Sequence, residues 1–376
     1  MVAVRILALA VGISSVAAVV LSAIRTVVLP RSEVIRLSRF LFVPLRRVFD
    51  LFAREQRSYE ARDRVMAMYG PLGLVLLPGL WAVLVVASFT AINWGLGVDP
   101  LRRAFSMSGS SFTTLGIAPP TDLPTTFAAL AEAVIGLGLV ALLISFLPSI
   151  YASFQRRELS VSMLETRAGD PPSAVDLLRR HHLIGWLEDT GPLYAEWERW
   201  FADIEETHTS QGTLVFFRSP LPSHSWITAA GAVLDSAALH LSVIDLATAP
   251  QAALCLRAGF LSLRRIARFF GIPYDPDPEP DGPISIARDE FDVACAKLAE
   301  VGIPLKADRQ QAWRDFVGWR VNYDEVLVSL AGLTMAPYAP WSSDRSIRYR
   351  VRAKPVARLA RVGRGVLGRA KSEPRP

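Results

Sequence analysis

Residues 108–122 read SGSSFTTLGIAPPTD, and their reading decides the fold. No charge interrupts the chain between Arg103 and Asp122. On either side lies a long apolar run: Val65–Val98 carries no charge, and Leu123–Gln155 carries only Glu132. The segment between them is too polar for a third span and too apolar for an ordinary loop. Its first half can be helical, but Gly116, Pro119 and Pro120 break a helix in the second. A chain that dips into a bilayer as a short helix and returns extended brings unpaired carbonyls to membrane depth. Such carbonyls are tolerated only where protein buries them or where they line a water-filled path. A path lined by carbonyls is what a cation needs to replace its hydration shell. Thr113 and Thr114 add hydroxyls, and Gly116 gives the backbone freedom to turn successive carbonyls one way.

Working outward, the hydrophobic excess (51% of 376 residues) sits in the first 155 residues. Ile6–Ile24 is nineteen residues without charge, enough to cross a bilayer. A signal peptide is the competing reading, disfavoured by the length of the run and the lack of a cleavage-like site before Arg25. The expected order is an N-terminal span within 1–30, a connector over 31–69 and a span over 70–98. A re-entrant segment over 99–122 and a span over 123–155 follow. Nine arginines lie in residues 31–64, and Arg156 and Arg157 follow the last span. Positive charge in short loops marks the cytoplasmic side, which places the long C-terminal part inside and the 99–122 segment outside. Val34, Leu37, Leu41, Leu45, Val48, Leu51 and Phe52 recur at helical spacing in the connector. They predict an amphipathic helix on the inner leaflet or, alternatively, a connector packed on the cytosolic part.

A span, a re-entrant helix, Thr-Thr-x-Gly and a second span together resemble the pore module of the two-transmembrane potassium channel family. FSMSGSSFTTLG stands where that family has its pore helix and the start of its selectivity filter, and VIGLGLVALLISFLP is similar to its inner helix. The resemblance implies a filter at Thr113, Thr114, Leu115, Gly116 and Ile117, with Phe112 closing the pore helix and Gly136 or Gly138 at a bending point. The family pattern is T-x-G-[YF]-G-[DN]. Here Ile117, Ala118 and Pro119 replace the aromatic, the second glycine and the acid, so potassium selectivity does not follow. Single-glycine filters also resemble those of Trk/Ktr-type transporters, which carry four repeats in one chain. This chain shows one, so a closed pore requires several copies, with a homotetramer favoured.

Glu132 is the one acid in the last span, among small residues that permit close helix approach. It can attract cations behind the filter, or it can hydrogen-bond a Ser or Thr of the pore helix. Residues 158–344 read as an all-α cytosolic domain. Helices are expected from Ser173 to Leu187, from Pro192, and over Ile227–Leu246, Gln251–Phe270, Ile284–Val301 and Asp308–Leu333. Leu214–Phe217 can be a short strand. The stretch IPYDPDPEPDGP at 272–283 reads as a stiff linker splitting the bundle. Its alternating prolines disfavour a calcium loop.

No nucleotide-binding glycine motif, nucleophile–base set or zinc-ligand spacing appears, and His181, His182, His208, His224 and His240 are scattered. No enzyme, cofactor or metal centre is therefore expected, only a monovalent cation as permeant ion. Cys255 and Cys295 read as buried thiols. Residues 345–376 hold eleven Lys/Arg and one Glu, a local +10 within a net charge of +6. Such a tail suits anionic lipid rather than nucleic acid beside a membrane. The expectation is an all-α, multi-pass ion-channel-like protein of the plasma membrane with a cytoplasmic C-terminus. A non-conducting membrane-anchored scaffold or binding protein is the alternative.

Overall fold

The computed structural model describes residues 1–27, 36–55, 58–246 and 249–346. The polybasic tail, apart from Arg345 and Ser346, and the start of the connector lie outside these residues. About three quarters of the chain is helical, and no strand occurs among the described residues. Four helical stretches are long and apolar enough to cross a membrane: Val2–Val27, Tyr59–Gly95, Leu123–Ala168 and Trp226–Val243.

Helix α1 (Val2–Val27) packs antiparallel on α4 (Tyr69–Gly95). Small residues let the two backbones approach. A Cβ on Gly12 would stand 2.7 Å from the Ser88 carbonyl oxygen, and one on Gly95 would stand 2.9 Å from that of Arg5. Ser88 Oγ donates to Ser15 Oγ at 2.8 Å across the same contact. Val19, Ala23, Leu77, Trp81, Val85 and Phe89 fill the seam. At one end of the pair Arg5 bridges Asp99. At the other, the chain runs through α2 (Arg36–Glu55) and α3 (Tyr59–Ala67).

The connector packs on the rest of the chain. Arg46 Nη2 donates to the Leu333 carbonyl at 3.0 Å, Tyr59 Oη to that of Met335 at 3.2 Å, and Arg218 pairs with Asp63 at 3.1 Å. The apolar face expected of this segment is thereby divided. Leu41 and Leu45 turn inward, whereas Val48, Leu51 and Phe52 remain exposed. Val34 and the Leu37 side chain fall outside the described residues.

Helix α6 (Leu123–Ala168) is the longest element. Its 46 residues span roughly 70 Å at 1.5 Å per residue, more than twice the bilayer's hydrocarbon thickness. The excess length runs into a helical domain built from α7 (Ala174–Leu183), α8 (Gly191–Ser210), α9 (Trp226–Val243), α10 (Pro250–Phe269), α11 (Arg288–Glu300), α12 (Arg309–Arg320) and α13 (Asp324–Thr334). Helix α9 passes through the centre of this domain. All but one of its eighteen residues are buried in the chain's own core, which explains its apolar composition without a bilayer.

Three expectations are corrected. Leu214–Phe217 belongs to a 3₁₀ turn at Gly212–Phe216, not a strand; Trp226 Nε1 donates to its Val215 carbonyl, and Arg157 to that of Leu214. The single helix expected over Asp308–Leu333 is two helices. Asn322 Nδ2 takes the Gly318 carbonyl at 2.9 Å, competing with the backbone, and the chain turns at Val321–Tyr323. The 272–283 stretch does not split the bundle. Ile272 and Ile286 at its two ends belong to one core, and Arg264 Nη1 holds the Pro276 carbonyl at 2.9 Å, so the stretch is a strap packed over the domain. Cys255 and Cys295 are buried and free.

Candidate pore segment

Helix α5 (Leu101–Phe112) starts beside the α4 terminus and runs down along α4 and α6. Its depth can be read from its partners. Ser108 Oγ lies 2.9 Å from the Val86 carbonyl oxygen. Val86 is nine residues before Gly95, about 13 Å along the helix. Ser108 Oγ also lies 2.5 Å from Glu132 Oε1, and Glu132 is nine residues into α6, the same depth from the other side. Deeper still, a Cβ on Gly136 would stand only 2.6 Å from the Phe112 carbonyl oxygen. Gly136 is thirteen residues into α6, so α5 reaches about 20 Å before it ends. The segment therefore goes down as a helix and returns.

The turn at the bottom has an unusual backbone. Thr114 and Gly116 both take positive φ, +56° and +74°. Ser110 Oγ accepts from the Ala118 amide at 3.2 Å and ties the returning chain to α5. Between these ties, Thr113, Thr114, Leu115, Gly116 and Ile117 are all exposed, Leu115 at 65% and Ile117 at 72%. Among the described residues, no hydrogen bond ends on the carbonyls of Thr114, Leu115, Gly116 or Ile117. Both threonine hydroxyls donate locally instead. Thr113 Oγ1 bonds the Gly109 carbonyl and Thr114 Oγ1 the Thr113 carbonyl, each at 2.7 Å. Their lone pairs remain available, but their protons are committed to the end of α5. The C-terminal end of α5, where the helix dipole is negative, opens onto the same place.

The chain matches no family model, no curated protein and no solved structure.

Of the two roles considered for Glu132, the hydrogen bond to the short helix is the one present. The side chain is fully buried between α5 and α6, not turned toward the exposed turn. Ser108 Oγ stands between the Glu132 carboxyl and the Val86 carbonyl. Oε2 of Glu132 has no partner. The two glycines differ sharply. Gly136 is the contact point with Phe112, whereas Gly138 has nothing near it and borders an open apolar cleft of about 450 Å³ between α1 and α6. No clash with neighbouring atoms opposes a side chain at Gly116, but its φ does.

The joint between α6 and the domain was not legible beforehand. Arg157 reads as a topogenic charge, but it is 1% exposed. It pairs with Glu158, donates to the Leu214 and Phe217 carbonyls at 2.7 and 2.8 Å, and faces His208 Nε2 at 3.2 Å. Trp200 Nε1 donates to the Arg157 carbonyl at 3.2 Å. Burial, with the Arg157 charge beside it, pushes His208 well below the ordinary histidine value, so the ring accepts from Arg157 as a neutral imidazole. The end of α6 is thus clamped to α8 and the 3₁₀ turn.

Proposed function

We propose that the chain is one subunit of an oligomeric membrane pore for monovalent cations, with four copies around an axis and the helical domain governing gating or assembly. The supporting observation is the turn Thr113–Ile117. It lies about 20 Å down the α5–α6 pair, with four carbonyls that accept no hydrogen bond among the described residues. In a bilayer such carbonyls require water, an ion or another copy. The α6 face toward Phe127, Leu130, Val134, Leu137 and Ile144 is exposed at alternating spacings of three and four or seven residues, as a helix seam facing lipid or a second copy would be. The arginine distribution favours a cytoplasmic domain and C-terminus, with α5 entering the bilayer from the opposite side and the basic tail near anionic lipid, and the plasma membrane is the location that goes with this reading. Ile117, Ala118 and Pro119 argue for weak discrimination between potassium and sodium. One repeat encloses no path, so the reading requires a closed ring. Native mass measurement of the protein in nanodiscs is expected to give four chains per particle. A monomer as the only species would contradict the pore and leave the anchored-scaffold reading.

A further inference from the structure

The last turn of α6 and the loop before α9 bring together three side chains far apart in sequence. Ligand atoms of Glu165, Asp170 and His224 all lie within 4.8 Å of one another. His224 Nε2 stands 3.3 Å from Glu165 Oε2. The His224 side chain is only 6% exposed, and its Nε2 has no hydrogen-bond partner. A buried ring nitrogen close to a carboxylate but without hydrogen-bond geometry to it is a polar group left unsatisfied. We propose that these three residues bind a divalent transition-metal ion, of the zinc or manganese class.

The surroundings hold the ligands in place and leave them free. Glu165 sits on α6, where the Gly169 amide donates to its carbonyl at 2.8 Å. Gly169, at φ +84°, turns the chain so that Asp170 comes back over the helix end. His224 is fixed by its amide, which donates to the Leu221 carbonyl at 3.0 Å, just before α9 starts. The nearby cations are already engaged. Arg180 Nη1 donates to the Glu165 and Thr166 carbonyls, and Arg218 pairs with Asp63. Asp170 makes no ion pair among the described residues.

Ligand chemistry selects the ion. One imidazole nitrogen and two carboxylates suit zinc, manganese or iron(II), whereas calcium and magnesium favour all-oxygen shells. Ligand atoms about 2.1 Å from one ion stand roughly 3–3.5 Å from each other, so closing the present group needs only small side-chain rotations of the two exposed carboxylates. The remaining positions face solvent and take water. An ion there would pin the end of α6 to the loop that leads into α9, beside the Arg157 clamp. The site does not depend on whether the protein conducts.

The test is a titration of metal-free, full-length protein in nanodiscs with zinc chloride and manganese chloride, with calcium and magnesium as controls. One zinc per chain is expected, with a raised thermal midpoint. Glu165→Gln and Asp170→Asn, both at exposed positions that should fold normally, are expected to weaken binding at least about 10–100-fold, as is His224→Ala. His182→Ala should leave binding unchanged. Absence of stoichiometric zinc, equal affinity for magnesium, or uptake unaffected by the Glu165 and Asp170 substitutions would each overturn the proposal and leave a His–Glu contact only.

Discussion

In the helical domain Arg320 is completely buried, and all three of its guanidinium nitrogens are used, by Asp324, Asp235 and the Trp341 carbonyl. At the turn between α5 and α6, four consecutive carbonyls accept no hydrogen bond among the described residues. The Arg320 cluster finds all its partners within one chain. The second region is tied on either side by the Ser108–Glu132 and Ser110–Ala118 hydrogen bonds and by the close approach of Gly136 to Phe112, but not in the turn itself. A second copy, water or an ion would supply the partners that the turn lacks.

The comparison can be broken most forcefully from the domain side. Burial works against the charge on Arg320, but Asp235 and Asp324 outweigh it and hold its pKa above the usual arginine range. Arg320→Ala leaves Asp235 buried with only Tyr323 donating to it, at 2.8 Å. Removing one partner of a buried ion pair costs about 3–5 kcal/mol, so the variant is expected to lose most of the domain's stability. Urea unfolding of the full chain, followed by tryptophan fluorescence, would show it. A midpoint within error of the parent would mean the network is not what holds the core.

Acid is the next lever. Burial, helped by Lys306, lowers His240 to about 4, and burial beside Arg157 lowers His208 as well. The unfolded chain takes up protons near pH 6.5 while the folded domain does not, so stability is full above that pH and falls below it. His240 alone contributes a loss of about 2 kcal/mol between pH 7.5 and 5. Denaturation at the two pH values should show this, and His240→Asn should remove His240's share of the slope.

The smallest effect sharpens the membrane side. A methyl on Gly136 meets the Phe112 carbonyl, so Gly136→Ala should lower the thermal midpoint by an overpacking strain of about 1–3 kcal/mol. Gly138→Ala adds a methyl to open space and should leave the midpoint unchanged. Equal effects would show that α5 does not pack on α6 as described.

What could be read beforehand follows from the range of each interaction. The spans were legible because an uncharged run of about 20 residues is a local property. The N-cap at Ser173 was legible for the same reason, and its side chain does accept from the Asp176 amide. The short helix followed by Thr-Thr-x-Gly was visible, and Glu132 stood out as an acid in an apolar run, but its choice of partner was not. That choice depends on how α5 lies against α6, with Ser108 twenty-four residues away. The break at Asn322 was only half visible, because its local Gly318 contact is joined by a bond from Arg264, 58 residues distant, which donates to the Asn322 carbonyl at 2.8 Å. Glu165 and His224 likewise carry no shared spacing; the end of α6 and the turn before α9 meet only in three dimensions.

The central claim is that ions pass along the turn at Thr113–Ile117. Single-channel recording of the purified protein in planar bilayers, under potassium and sodium gradients, tests it directly when the parent and Gly116→Val are compared. A valine at φ +74° obstructs the backbone geometry and adds apolar bulk beside the open carbonyls, away from any helix contact. The account predicts cation current from the parent and none from a Gly116→Val protein of the same assembled mass. Silence from a folded, assembled parent, or equal current from the variant, would contradict it.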